Sequence, residues 1–262
     1  ITYALSGDDA TYFVLEGNTI KLKSDVSADY ETKSSYTLTV TATNPAGETI
    51  EEKVVVKIAN VNETPTLNTA VANQSNSEDA AFSFTVPITT FTDIDGDTLT
   101  YSATLSDSTA LPAWLSFDAA TRTFTGTPLN ADVGAIDVKI TGSDGALTAS
   151  DTFTLTVINT NDNPTALTLS ATAIDENVSG GVIGNLTTSD DDNIYGDSHT
   201  YALSGTDADS FEVVNGQLKL KSGVSANYET KSSYAVTVTS TDAAGSSFVQ
   251  SFSLNINDVN DA

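Results

Sequence analysis

Asn159-Thr160-Asn161-Asp162-Asn163-Pro164 sets an unbroken series of oxygen-bearing side chains ahead of a proline. Hard cations such as Ca²⁺ collect six to eight such oxygens, from carboxylates, amides, backbone carbonyls and water. Pro164 forbids helix and biases Asn163 toward an extended backbone, so the run reads as a short stiff connector. A polar turn would share this composition. Recurrence favours chelation, because related runs stand at Asn60-Val61-Asn62-Glu63-Thr64-Pro65 and Asp258-Val259-Asn260-Asp261.

The element that must position this connector is the strand before it. In Phe153-Thr154-Leu155-Thr156-Val157-Ile158, apolar residues alternate with threonine, the period-two pattern of a half-buried strand. Similar alternation marks Phe82 to Val86 and Ile136 to Ile140, with Asp95-Gly96 and Asp144-Gly145 as turns between apolar runs. Leu111 to Phe117 holds the single tryptophan, Trp114, which could stack on a sugar but, flanked by apolar residues, reads as core. No long stretch has helical periodicity, so the chain is expected to be all-β.

The 262 residues suffice for two to three domains. With 35 acidic against 10 basic residues the net charge is −25, which repels nucleic acid and anionic lipid and attracts cations. Such acids could instead solvate a salt-adapted surface. Scattered positions would mark solvation, and clustering at matching points of a repeat would mark metal binding. The absence of cysteine excludes a disulfide framework and thiolate metal sites. No run is long and apolar enough to suggest membrane insertion.

Internal repetition is the strongest feature. Residues 1–64 align with residues 199–262 without a gap: Tyr3-Ala4-Leu5-Ser6-Gly7 recurs as Tyr201 to Gly205, and Tyr30 to Tyr36 recurs as Tyr228 to Tyr234. The strand-like runs Ala166 to Ile174 and Val182 to Thr188 have no counterpart ahead of Ile1. Residues 1–62 are therefore expected to be the later part of a sandwich whose first strands come from elsewhere in the native chain, leaving an open edge here.

The ordered motifs Asp175-Glu176-Asn177, Asp190-Asp191-Asp192, Asn227-Tyr228-Glu229, Thr241-Asp242-Ala243 and Asp258 to Asp261 resemble those of the cadherin superfamily. Residues 74–128, with Asp93-Ile94-Asp95-Gly96-Asp97, resemble its dystroglycan-type cadherin-like branch. Large bacterial surface adhesins are built from such mixtures. The resemblance implies tandem Ig-like or cadherin-like β-sandwiches joined by short calcium-binding linkers: residues 1–62, 63–162 and 163–262.

It further implies ligand sets for calcium. The first comprises Asp29, Glu31, Asn60, Asn62, Glu63, Asp93, Asp95 and Asp144. The second comprises Glu78, Asn159, Asn161, Asp162, Asn163, Asp190, Asp192 and Asp242. Glu176, Glu229, Asp258 and Asn260 belong to a third, partial set. Asn60, Asn159 and Asn227 stand where the family usually has aspartate, and Asp118 could replace an acid missing from the middle repeat.

Carboxylates about 4 Å apart repel by roughly 4 kcal/mol at an effective dielectric near 20, so such sets need cations to stay assembled.

An enzyme is not expected. The lone histidine, His199, aligns with Ile1 and reads as a surface residue at a strand start, and no phosphate loop or metalloprotease helix occurs. Asp190 and Asp192 could form a glycosidase dyad, but they sit among the presumptive metal ligands. The leading expectation is a monomeric, calcium-rigidified extender of a secreted, cell-surface adhesin, reaching on the order of 100 Å. One alternative is that a module, above all the middle one, binds a peptide, glycan or surface protein, with Tyr12, Tyr195 and Trp114 as candidate contacts. Another is homophilic adhesion through the open edge, which predicts a dimer.

Overall fold

The computed structural model describes residues 1–260, so Asp261 of the last acidic motif lies outside the described residues. Strands dominate, and the helical elements among the described residues are short 3₁₀ turns. The chain divides into two compact units. Unit 1 holds residues 1–75, 81–127 and 135–156; unit 2 holds residues 76–80, 128–134 and 157–262.

Unit 1 opens with β1 (Thr2–Ser6), β2 (Phe13–Glu16), β3 (Thr19–Leu22), β4 (Ser35–Thr43) and β5 (Thr49–Lys57). The order β1-β4-β5 makes one antiparallel sheet and β2-β3 a hairpin. Only Phe13, Tyr36 and Leu38 are fully buried between them, with Ile20, Leu22, Val56 and Ile58 half-buried around this small core. The strands that follow are β6 (Thr66–Leu67), β7 (Gln74–Ser77), β8 (Phe82–Thr85), β9 (Phe91–Thr92), β10 (Thr100–Leu105), β11 (Leu115–Asp118), β12 (Thr123–Gly126), β13 (Gly134–Ser143) and β14 (Thr148–Ile158). A sheet of order β10-β13-β14-β7 faces another of order β11-β12-β8 across a core of Phe82, Phe124, Val138, Ile140, Phe153 and Leu155. The alternation read in β8, β13 and β14 supplies all of these inward residues except Phe124, which lies on β12. Trp114 packs against this core as expected.

In unit 2, β15 (Ala166–Leu169), β16 (Ala173–Asp175), β17 (Val182–Ser189), β18 (Thr200–Ser204), β19 (Phe211–Val214), β20 (Gln217–Leu220), β21 (Ser233–Thr241) and β22 (Ser247–Asn257) form two four-stranded sheets. Their orders are β15-β17-β20-β19 and β16-β22-β21-β18. The core contains Leu167, Ile174, Phe211, Leu218, Leu220, Val236, Val238 and Leu254.

Residues 166–174, expected as one run, are two strands in different sheets. β15 pairs antiparallel with β17, whereas β16 pairs parallel with β22. The crossover is held by Ser170, whose N–H donates to the Asn185 carbonyl at 2.9 Å and whose hydroxyl accepts the Asn185 N–H at 2.8 Å. It lies against Gly184, where a Cβ would meet the Ala171 nitrogen at 2.8 Å, so only glycine admits the chain there.

The repeat is structural as well as sequential. Thr2 opposes Thr43 as Thr200 opposes Thr241, and Ser35 opposes Lys57 as Ser233 opposes Asn255. Both copies contain a clasp absent from the sequence reading. Asp9 accepts from Lys33 Nζ at 2.5 Å and the Thr37 N–H at 2.7 Å; Asp207 does the same with Lys231 and Ala235. The ammonium also sits over a tyrosine ring, Tyr36 in one copy and Tyr234 in the other.

Candidate metal centre

In unit 1 the connector after β5 brings Glu63 to Glu31 and Asp95, with one oxygen of each within 4.8 Å of the others. Two oxygens on one Ca²⁺, each at 2.3–2.6 Å, are separated by no more than about 5 Å, so this spacing fits a shared ion. The Glu63 N–H donates to Asp95 at 2.8 Å, and Asn62 Nδ2 donates to Asp144 at 3.0 Å. Asp144 is aimed by its own turn, accepting the N–H groups of Ala146 and Leu147 at 2.6 and 2.7 Å. Asp93 and Asp95 also group with Asp97, a residue absent from the expected set. Its signal was legible: acids at alternate positions around Gly96, whose φ of 80° bends the turn, point their oxygens to one side.

The second group lies within unit 2. Glu78, Asp162 and Asp192 converge, and Glu78 and Asp192 are only 2% and 4% exposed. The Thr160 N–H donates to Glu78 Oε1 at 2.7 Å, the Asp162 N–H to Asp192 Oδ2 at 2.6 Å, and Asn159 Nδ2 to Asp192 Oδ1 at 2.7 Å. Asn161 Nδ2 donates to Asp242 at 3.0 Å. A half-turn of either amide exchanges nitrogen for oxygen and offers a ligand atom to a cation. Asp190 caps the 3₁₀ turn Asp191–Tyr195 by accepting the Asp192 N–H, which swings Asp192 inward.

Several residues depart from expectation. Asp190 groups with Asp197 and His199 rather than with Glu78. His199 is not a surface residue: its side chain is 8% exposed and its Nε2 lies 3.1 Å from Asp190 and 3.7 Å from Asp197. Asp118 accepts the N–H of Ala120 in the β11–β12 turn and groups with no other acid among the described residues. Asn163 is exposed, and Asp29 accepts from the Thr32 N–H in its own turn. The Tyr195 hydroxyl donates to the Asn130 carbonyl at 2.6 Å, and Tyr12 packs edge-on against Tyr36.

The third set is brought together as Glu176, Glu229 and Asp258, while Asn260 is exposed. Here Glu176 is already satisfied, accepting the Tyr228 and Val259 N–H groups at 2.8 and 2.9 Å. Those two donors hold its carboxyl below the usual glutamate range.

Electrostatics separates the first two groups from an ordinary hydrogen-bonded turn. Burial pushes the Glu63 carboxyl up, and the charges of Asp95 and Glu31 push it further. Burial also raises Glu78 against the opposing pull of the Thr160 N–H, with Asp162 and Asp192 adding repulsion. Donors act the other way elsewhere: the Glu63 N–H lowers Asp95, the Leu147 and Ala146 N–H groups lower Asp144, and Asn161 lowers Asp242.

Buried carboxylate oxygens without a hydrogen-bond partner are Glu31 Oε1, Glu78 Oε2, Asp93 Oδ2, Asp95 Oδ1 and Asp197 Oδ2. Leaving such an oxygen unsatisfied is costly, and four of the five belong to residues expected to bind metal. All-oxygen donors with orphaned anionic atoms suit a hard divalent cation.

Residues 64–158 match the He_PIG family, described as "Putative Ig domain". Human Cadherin-related family member 2 is 40% identical over 77 residues, covering 25% of this chain and 6% of that protein; its mouse counterpart is 38% identical over 82 residues, covering 27% and 6%. The chain thus spans a small part of the curated relatives it matches. Among solved structures, mouse Cadherin-23 EC22-24 aligns with a TM-score of 0.66 at 17% identity, covering 98% of this chain and 86% of that one. The Protocadherin GammaB4 extracellular domain aligns with a TM-score of 0.66 at 22% identity, covering 100% and 44%.

The fold is that of tandem cadherin-type β-sandwiches. The resemblance to the cadherin superfamily read from the acidic motifs holds.

Proposed function

We propose that this chain is a calcium-rigidified structural segment of an extracellular, cell-surface adhesion protein, organised as sandwiches at residues 1–62, 63–162 and 163–262. The reading is non-catalytic. Its carrying observation is the set of orphaned oxygens on Glu31, Glu78, Asp93 and Asp95, each buried beside another carboxylate. Glu31, Glu63, Asp93, Asp95 and Asp144 would hold ions at the first linker; Glu78, Asp162, Asp192 and Asp242 would do so at the second, with Asn159 and Asn161 contributing amide oxygens. A bound divalent ion offsets the burial and the repulsion that raise Glu63 and Glu78 and fixes the connector between strands. The protein spaces a binding domain away from the cell and acts as a monomer.

Isothermal titration of the metal-free protein with Ca²⁺, paired with scattering in calcium and in chelator, tests this. Saturable binding that Asp192→Asn and Asp95→Asn each weaken supports it, as does an envelope that stiffens with calcium. Identical envelopes and no heat of binding would remove the reading.

A further inference from the structure

An open cleft of about 620 Å³ in unit 1 lies between the start of β10 and the β11–β12 turn, and Arg122 lines it. Three observations single out this residue. It is the one arginine in a chain with 35 acidic residues, yet it forms no ion pair among the described residues. Its backbone is left-handed, with φ 58°, a conformation that favours glycine and disfavours a long side chain. Its guanidinium is nevertheless held in place: Nε donates to the Val86 carbonyl at 3.3 Å, and the group sits 5.8 Å from the Tyr101 ring centre. Tyr101 in turn leans on the buried Phe91. The terminal N–H groups make no hydrogen bond among the described residues and are free for a ligand.

The lining defines what could enter. A planar guanidinium reads a carboxylate through paired hydrogen bonds. Asp93 and Asp97 line the same cleft and, as carboxylates, only accept, so the ligand must also bring donors. The Thr98 hydroxyl adds an adaptable partner, and Ile88 and Leu99 add apolar surface. A bare anion would face the two aspartates, and a neutral sugar would leave the arginine unmatched.

We propose that the cleft binds a hexuronate unit of an acidic polysaccharide, with the carboxylate on Arg122 and a ring hydroxyl donating to the exposed Asp97. The site goes beyond the structural role proposed above. It shares Asp93 with the first calcium set, so the titrations are run both in calcium and in chelator.

The full chain is titrated with D-glucuronate, D-glucose, acetate and a short aspartate-containing peptide, read by NMR shifts of the residues lining the cleft. Glucuronate binding that exceeds the other three, and that Arg122→Gly reduces at least about tenfold, is expected. Glycine suits φ 58°, so this variant is expected to fold; its calcium melting curve, recorded on the same sample, verifies that. Arg122→Lys keeps the charge but loses the paired geometry and should also weaken binding. Equal binding of glucose, acetate or the peptide would overturn the proposal. So would glucuronate binding indifferent to Arg122, or its absence in both conditions. Calcium titration of Arg122→Gly reports on the structural reading independently.

Discussion

Glu78 shows how one side chain links burial to metal binding. One oxygen takes the Thr160 N–H, the other has no partner, and the residue is 2% exposed. Its folded carboxyl titrates above the ordinary 4.5, because burial and the neighbouring Asp162 and Asp192 disfavour the charge. In the metal-free protein the unfolded chain therefore loses this proton first, and the residue destabilises the fold as pH rises through and above 4.5. Glu78→Gln keeps the acceptor for Thr160 and removes the charge. It should raise the melting temperature in chelator at neutral pH while reducing the calcium-induced rise, since the second set loses one of its carboxylates. Thermal melts of variant and parent in both conditions check this; a lower melting temperature in chelator would contradict it.

The Asp9–Lys33 clasp obeys the opposite sign. Hydrogen bonding from Lys33 and then Thr37 lowers Asp9 below 3.8, so its stabilisation is present above 3.8 and is lost as pH falls through the lower folded value. The same contact raises Lys33 above 10.5; that contribution is complete below 10.5 and disappears as pH rises through the higher folded value. Lys33→Met should therefore shift acid unfolding of this region to higher pH, followed by near-ultraviolet circular dichroism of the tyrosines around it.

At the scale of elements, single glycines decide where strands can lie. A Cβ at Gly126 would stand 2.0 Å from the Trp114 carbonyl oxygen, a backbone atom with no rotamer to yield. Gly126→Ala should force β12 away from Trp114 and destabilise this sandwich by roughly 1–3 kcal/mol, as overpacking does. Urea unfolding followed by fluorescence of the single tryptophan reads it directly, and an unchanged midpoint would show that the strand can shift freely.

The two copies of the repeat provide a second comparison. Leu218 is fully buried in β20, which pairs with β17, while its counterpart Ile20 is half-buried. Leu218→Ala should cost roughly 2–5 kcal/mol and Ile20→Ala distinctly less, because a partly solvated side chain leaves a smaller cavity. Equal losses in urea titrations of the two variants would mean that Ile20 is as well packed as its partner.

For the molecule as a whole, the decisive quantity is the response to calcium. An ion that binds only the folded form at about a hundred times its dissociation constant adds roughly 2.7 kcal/mol per independent site. For sandwiches of about 100 residues that corresponds to a rise of roughly 10–20 °C per site. Calorimetry in calcium and in chelator should show it, whereas magnesium at the same concentration should do much less, because Mg²⁺ demands tighter octahedral geometry and dehydrates reluctantly. A chain with −25 net charge would also gain from general screening, so added sodium chloride at matched ionic strength is the control.

Much of this was legible in the linear chain because its signals are local. Period-two alternation in Phe153 to Ile158 specified an inward face of Phe153, Leu155 and Val157, and all three are buried. Repetition specified equal strand pairing in both copies, since identical side-chain patterns favour identical registers. The family resemblance carried by the acid-rich motifs implied which carboxylates would crowd together, and Glu31, Glu63, Asp95, Glu78, Asp162 and Asp192 do.

What the tertiary structure alone decided concerns partners distant in sequence. Whether a carboxylate oxygen is satisfied depends on which backbone N–H arrives from another segment, so Glu176 is doubly bonded while Glu78 keeps an orphaned oxygen. The burial of His199 between Asp190 and Asp197, the crossing of residues 166–175 from one sheet to the other, and the unpaired Arg122 beside Tyr101 are of the same kind. Local pattern specifies which face of a strand turns inward. Only packing specifies what that face, or the loop beyond it, will meet.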